Sequence, residues 1–299
     1  MKLKGLVALG AVAAMATGCA TNLASMQTAR TLRPGQIRAG MGYGVYLPTT
    51  QVGNAVSTGV DLTEKAASQA VQNKKVTVTD SEMDKMVTAG AALAAFPPSA
   101  GYEYTMRVGV FEDFDVGGKY SLNAVKLDGK YRIVHMGEQD VAEPPDDETH
   151  DSFDVAVGFG GTKYIFANPV VQLLDYVNMG NFDRYDLEVP VYISVDLGSH
   201  FGLYLVPKWI YSHVKFDEKL VSTAQECACH TGVDTTLPAT VDVNFLGATA
   251  GLNAGWRRFK VFAEITAGHT FAKPFLFGKY RDLGGTTLYP SVGFAITFR

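Results

Sequence analysis

Few side chains in this sequence combine the type and spacing that chemistry needs. Glu226-Cys227-Ala228-Cys229-His230 sets two thiols beside an imidazole, a group that could hold a soft metal. A structural zinc site uses wider cysteine spacing and a fourth ligand, and no second motif supplies one. A disulfide across Ala228 alone would close a very small ring and staple almost nothing. Cys227, Cys229 and His230 therefore stand as weak metal candidates in a loop, and no cofactor is expected. Acid–histidine chemistry has two sequence-near candidates, Thr149-His150-Asp151 and His213 with Asp217. His269 is a lone histidine, where a lipid-modifying enzyme would need a histidine and a serine together. No GxSxG turn, HExxH helix or glycine-rich phosphate loop is present. The expectation is a protein that is not an enzyme.

The remaining cysteine has a different meaning. Residues 1–18 read MKLKGLVALGAVAAMATG: two lysines, an apolar stretch from Leu6 to Ala16, then small residues before Cys19. That is the layout of a secretory signal, with an apolar middle too short to span a bilayer. With the cysteine placed after Gly18, the segment resembles a bacterial lipoprotein signal, although Ala16 stands where such signals usually have leucine. The resemblance implies acylation of Cys19 and a membrane-lipid anchor. Ala20 and Thr21 contain no aspartate, which in such lipoproteins would favour retention in the inner membrane.

What positions these residues is a β-structure. Without residues 1–18 the chain keeps 281 of its 299 residues, and the loss of two lysines moves its formal charge from −4 to −6. A net-acidic balance with no basic face argues against nucleic acid as a partner. A hydrophobic content of 47% excludes a disordered chain. No later window holds 18 consecutive apolar residues, so no transmembrane helix follows the signal. Glycine (31), phenylalanine (17) and tyrosine (14) are abundant, as short-spaced β-architectures require.

From residue 36 the chain alternates between apolar and polar positions, the period of a strand with two different faces. The stretch Asp186–Leu197 is the clearest, with Leu187, Val189, Val191, Ile193, Val195 and Leu197 on one face. Similar stretches fall near 36–47, 101–111, 114–122, 123–134, 152–166, 201–213, 241–256, 258–271 and 287–298. That predicts about ten strands, within a range of eight to twelve. Most are nine residues or longer, the length a tilted strand needs to cross a bilayer.

Three features put the polar face inside. Small residues crowd it: Gly40, Gly42, Gly44, Gly158, Gly160, Gly293 and Ala295. Charges of both signs also occupy it, among them Arg38, Glu103, Arg107, Lys119, Lys130, Arg132, Asp186, Glu188, Lys208 and Glu264. Aromatics of the apolar face gather near strand ends, with Phe114, Phe153, Phe201, Phe259 and Phe298 at one end and Tyr102, Tyr104, Trp209, Tyr211 and Phe271 at the other. Two such girdles, with short turns at one end and long loops at the other, are the outer-membrane pattern. The link Gly137–Asp151 is too long for that pattern, and the link near Leu122-Asn123 is barely visible.

Together with Gln27-Thr28-Ala29-Arg30-Thr31-Leu32 and the first strand Gln36-Ile37-Arg38-Ala39-Gly40, the signal resembles bacterial outer-membrane β-barrel proteins that begin as lipoproteins. The resemblance implies location and fold, not substrate. The expected organisation is a signal at 1–18, a lipidated linker at 19–35 and an all-β antiparallel transmembrane barrel at 36–299. The lipidated end and the C-terminus would share the periplasmic side. Residues 48–100 interrupt the pattern: Thr79-Asp80-Ser81-Glu82 reads as a helix start and Pro97-Pro98 as its stop, with an earlier helical piece at Leu62–Val71. This insert is a surface loop with a packed helix, a cap over the barrel mouth, or a membrane-surface contact, though its helix lacks the basic polar face typical of the last. The expected function is structural, surface-interacting or limited small-solute transport, with the long loops open to an extracellular partner. The alternatives are a barrel protease or lipid-modifying enzyme, and a soluble lipid-anchored β-barrel binding protein in the periplasm.

Overall fold

The computed structural model describes residues 22–71, 79–96, 98–121, 124–137, 151–165, 182–198, 200–216, 240–256, 258–276 and 278–298. Cys19, His150, Asp217, Cys227, Cys229 and His230 lie outside the described residues.

Ten antiparallel strands form a closed barrel. They are β1 (Ile37–Tyr46), β2 (Ser99–Phe111), β3 (Phe114–Ser121), β4 (Ala124–Gly137), β5 (Ser152–Tyr164), β6 (Phe182–Leu197), β7 (Phe201–Phe216), β8 (Thr240–Trp256), β9 (Phe259–Phe271) and β12 (Gly285–Phe298). A hairpin of β10 (Phe275–Leu276) and β11 (Lys279–Tyr280) sits between β9 and β12. Each barrel strand pairs with its neighbours in sequence, and β1 closes the ring against β12. Each predicted strand corresponds to one of these ten. The largest differences are four residues at the start of β6 and three at the ends of β4 and β7.

The alternation sets the two faces. Leu127, Phe159, Leu246 and Trp256 are 59–69% exposed on the outside. Lys130, Asp115, Asp154 and Glu103, which point inward, are 0–1% exposed. An apolar belt of this extent is covered only by lipid, and the fold is a transmembrane barrel. No described helix is long and apolar enough to cross a membrane. The aromatics divide as expected: Phe201 and Phe298 ring the turn end, and Tyr102, Tyr104, Trp209 and Phe271 ring the other.

That other end carries α1 (Thr49–Val71) and α2 (Asp80–Ala95). Thr79 and Glu82 form a reciprocal capping box that starts α2. A hydrogen bond from Lys65 on α1, followed by those from Thr79, brings the Glu82 carboxyl down to about 2. The first helix is longer than the predicted Leu62–Val71. Its early turns hold Gly53, Gly59 and several Thr and Val, poor helix formers that are stabilised here by packing. Gln51 donates to the Leu283 carbonyl, and Thr49 to the Thr286 carbonyl. Asp84 of α2 binds Lys279 at 2.5 Å and also Arg281. Ala92 and Phe96 then close the mouth against Leu23, Tyr46, Phe245 and Tyr289. The insert is a cap.

One expectation is corrected. Residues 19–35 were to be a linker on the C-terminal side, but Asn22 to Arg33 run inside the barrel. Their backbone polar groups find partners on the wall, which a free linker would leave to water. The segment descends to the turn end, where the Gly35 N–H donates to the Gly109 carbonyl and β1 begins. Asn22 therefore lies toward the helix end, away from the C-terminal strand end.

Candidate functional site

The occupied lumen is the site, and it is built from the wall inward. Charges first pair along the wall. Arg107 bridges Asp115 at 2.6 Å and Asp128 at 2.5 Å. Lys119 sits 3.1 Å from Glu103, Lys126 pairs with Glu188, and Arg184 contacts Asp186 at 2.9 Å. Alternation forces this arrangement, because every second residue of adjacent strands must face the same enclosed space. Charges taken out of water are tolerated only when paired and hydrogen-bonded.

A second set of bonds holds residues 22–33. Glu264 on β9 accepts the Ser25 N–H at 2.7 Å and the Met26 N–H at 2.9 Å, while Tyr204 and Ser291 donate to the same carboxylate. Asp115 accepts the Leu32 N–H at 3.1 Å, and Ser194 accepts that of Ala29. Lysines take the carbonyls. Lys130 donates to those of Thr28 and Arg30 at 2.9 and 3.0 Å, Lys119 to that of Ala24 at 2.5 Å, and Lys208 to that of Leu23. Asn22 donates to Glu103. The segment is thus bonded to the wall along its length.

Packing explains the small inward residues. Gly42 and Gly293 are directly paired across the β1–β12 seam, and a Cβ on either would overlap the Met26 sulfur. Met26 itself has φ of 46°, a left-handed conformation rare for a non-glycine residue. Glu264 and the two facing glycines hold it there. Beside Asn22 a cavity of about 20 Å³ remains between Lys126, Tyr164, Asp186 and Glu188, room for roughly one water.

The remaining charges named from sequence sit at the turn end. Arg38 donates to Thr297 at 3.2 Å, and Arg132 reaches Asp113 at 2.7 Å and Asp154 at 3.4 Å. Sequence reasoning found the wall charges but missed Asn22, Ser25, Met26 and Leu32 as their partners. The available signal was the run of glycines at inward positions of adjacent strands, which marks space reserved for something else.

The histidines of the catalytic alternative point outward. His213 lies 2.7 Å from Asp242, and Tyr211 donates to the same carboxylate at 2.8 Å. Trp209 donates to Asn244 one step further along the strands. His269 packs its ring against Phe271, 4.6 Å between centroids. These are polar anchors within the aromatic girdle. No hydroxyl or thiol nucleophile bonds either histidine among the described residues. Nor do the described residues contain a group of three His, Cys, Asp or Glu able to hold a metal.

No family model matches this chain, and no curated protein does. Comparison with solved structures finds distant similarities. Neisserial surface protein A is 10% identical, with 88% of this chain and 96% of that one covered at a TM-score of 0.32. The attachment invasion locus protein Ail of Yersinia pestis is 9% identical, with coverage of 89% and 99% and a TM-score of 0.29. Outer membrane phospholipase A from Escherichia coli is 8% identical, with coverage of 87% and 92% and a TM-score of 0.27. Likeness at this level lends none of their roles to this chain.

Proposed function

We propose that this chain is an outer-membrane β-barrel whose lumen is closed by its own N-terminal segment, and that it serves as a structural or surface-contact element. The observation that carries the reading is the bonded path of residues 22–33 through the barrel. A lumen whose charges already bind one another and this backbone offers solutes no continuous water. The apolar exterior, the turns at one end and the capped mouth at the other support an outer-membrane location. The signal-like residues 1–18 and Cys19 support export and acylation, the acyl group being the expected membrane-lipid partner. The outward His213–Asp242 pair is assigned to the membrane interface rather than to catalysis. Partners would meet the cap and the loops beside it.

Planar-bilayer recording tests the closure. The full chain should give no steady conductance, and a chain lacking residues 22–33 should conduct small ions. Stable conductance from the full chain would overturn the reading.

A further inference from the structure

A groove of about 560 Å³ opens on the outer surface at the turn end, within the size range of small-molecule sites. Its floor is a row of three aromatic rings on neighbouring strands. Phe111 on β2 pairs with Phe114 on β3, which pairs with Tyr131 on β4. The Phe111 and Phe114 rings are stacked, 6.4 Å between centroids. A register shift between Gly109 and Phe111 leaves Val110 and Phe111 both exposed, and irregularities of this kind commonly re-aim side chains beside a site. Pro34 supplies the remaining apolar wall, from the turn that links the lumen segment to β1.

Among the described residues, the charged groups lining this groove are both acidic: Glu112 and Asp113, at the tip of the β2–β3 hairpin. Asp113 is committed to Arg132, at 2.7 Å. The Glu112 carboxylate is exposed and has no hydrogen-bond or ion-pair partner among the described residues. The walls are already fixed. Thr31 donates its hydroxyl to the Glu112 carbonyl at 3.3 Å, and the Arg132 N–H donates to the Asp113 carbonyl at 2.8 Å. The Gly109 carbonyl accepts the Gly35 N–H at 2.9 Å, and its own N–H donates to the Gln36 carbonyl at 3.0 Å. A preformed groove loses little entropy on binding.

Aromatic faces beside an unpaired carboxylate select a cation, and this aromatic row lies in the turn-end girdle, where lipid covers the barrel. We propose that the groove takes the headgroup of a phospholipid that ends in a primary ammonium, drawn from the leaflet around the turn end. The ammonium donates to the Glu112 carboxylate and lies over the Phe111 and Phe114 rings. A primary ammonium fits better than a quaternary one, because it has N–H donors for the carboxylate and a single row of rings encloses no cage. A lipid fits better than a soluble amine, because Val116 and Leu127 extend the exposed apolar surface along β3 and β4 and give acyl chains a path. The groove's place requires only that the barrel spans a membrane; which leaflet supplies the lipid rests on the outer-membrane reading above.

Native mass spectrometry of the detergent-purified full chain, offered phosphatidylethanolamine and phosphatidylglycerol at equal concentration, tests this. The first lipid retained should be phosphatidylethanolamine, favoured about fivefold or more. Glu112→Gln and Phe111→Ala alter exposed side chains, so each should bring the two lipids to parity while heat-modifiable gel mobility shows an intact barrel. Trp209→Ala, at the opposite rim, should leave the preference as it is. A native chain without the preference, or a preference that either hairpin variant leaves unchanged, overturns the proposal and leaves the barrel reading standing. Soluble ethanolamine bound as tightly as the lipid would make the occupant a free amine, and phosphatidylcholine bound more tightly would make it a quaternary headgroup; either result overturns the proposal too. A native chain lacking heat-modifiable mobility would overturn the barrel reading and the lipid site with it.

Discussion

Replacing Glu264 with alanine should loosen the lumen segment more than any other single change there. The carboxylate accepts four hydrogen bonds: two from backbone amides of the segment, one from Tyr204 and one from Ser291. Each buried donor left without a partner costs about 1–3 kcal/mol, and charged acceptors lie toward the upper part of that range. Ser291 can rotate its hydroxyl elsewhere, and water entering the vacated volume can satisfy part of the rest. The two amides and Tyr204 dominate, which gives an expected loss of about 3–5 kcal/mol, in line with breaking buried charged contacts elsewhere. Met26 adds to this, because its left-handed backbone persists only while neighbours over-determine it. Urea unfolding of the refolded barrel in lipid vesicles, followed by fluorescence of Trp209 and Trp256, gives the measurement. A shift worth less than about 1 kcal/mol would refute the view that Glu264 holds residues 25 and 26.

Other substitutions separate the contacts further. A Cβ on Gly109 would meet the backbone carbonyls of Arg33 and Leu32, which cannot swing away, so Gly109→Ala should cost about 1–3 kcal/mol in the same unfolding assay. Gly42→Ala meets mainly the flexible end of Met26 and should cost less; equal losses would count against the packing described. Thr79→Ala removes the capping box of α2 and should weaken that helix by about 1 kcal/mol, read as faster hydrogen exchange in residues 80–84. Cap docking should also depend on pH. Hydrogen bonds from Lys279 and Arg281 hold the Asp84 carboxyl below its ordinary value, so its contribution is complete above the free-aspartate range near 3.9. It is lost as pH falls through the lower value in the folded protein. Protease sensitivity of residues 49–95 should therefore rise only in acid, and Asp84→Asn should show the raised sensitivity at neutral pH.

The strands were legible because alternation survives any choice of side chain within a class. Asp186–Leu197 reads as a two-faced strand whichever face is inside, and the paired charges and terminal aromatics then choose the face. The helix α2 was legible from Thr79 and Glu82, which announce a cap before any packing is known. Most of α1 was not, since Gly53 and Gly59 weaken it locally and its stability comes from α2 and the β12 edge. The lumen segment was the least legible. Asn22–Arg33 has no periodicity, because its contacts are dictated by a surrounding wall and not by its own repeat. Its backbone is satisfied by Glu264, Asp115 and Lys130, residues about 80–240 positions away in sequence, and no local pattern encodes such partners. The glycine pair Gly42–Gly293 records its presence only once the register places them opposite each other.

The seam that joins β1 to β12 carries a consequence for assembly. It unites the first strand made with the last, and the Met26 side chain fills the space between the two glycines that face it there. A segment bonded to the wall from Asn22 to Leu32 could not be drawn through the lumen once the ring had closed. Residues 22–33 must then lie against the open sheet beforehand, bound to β9, β4 and β3, while the final strand is still arriving. The segment becomes a mandrel: the wall is wrapped around it, and closure of the seam is the step that traps it.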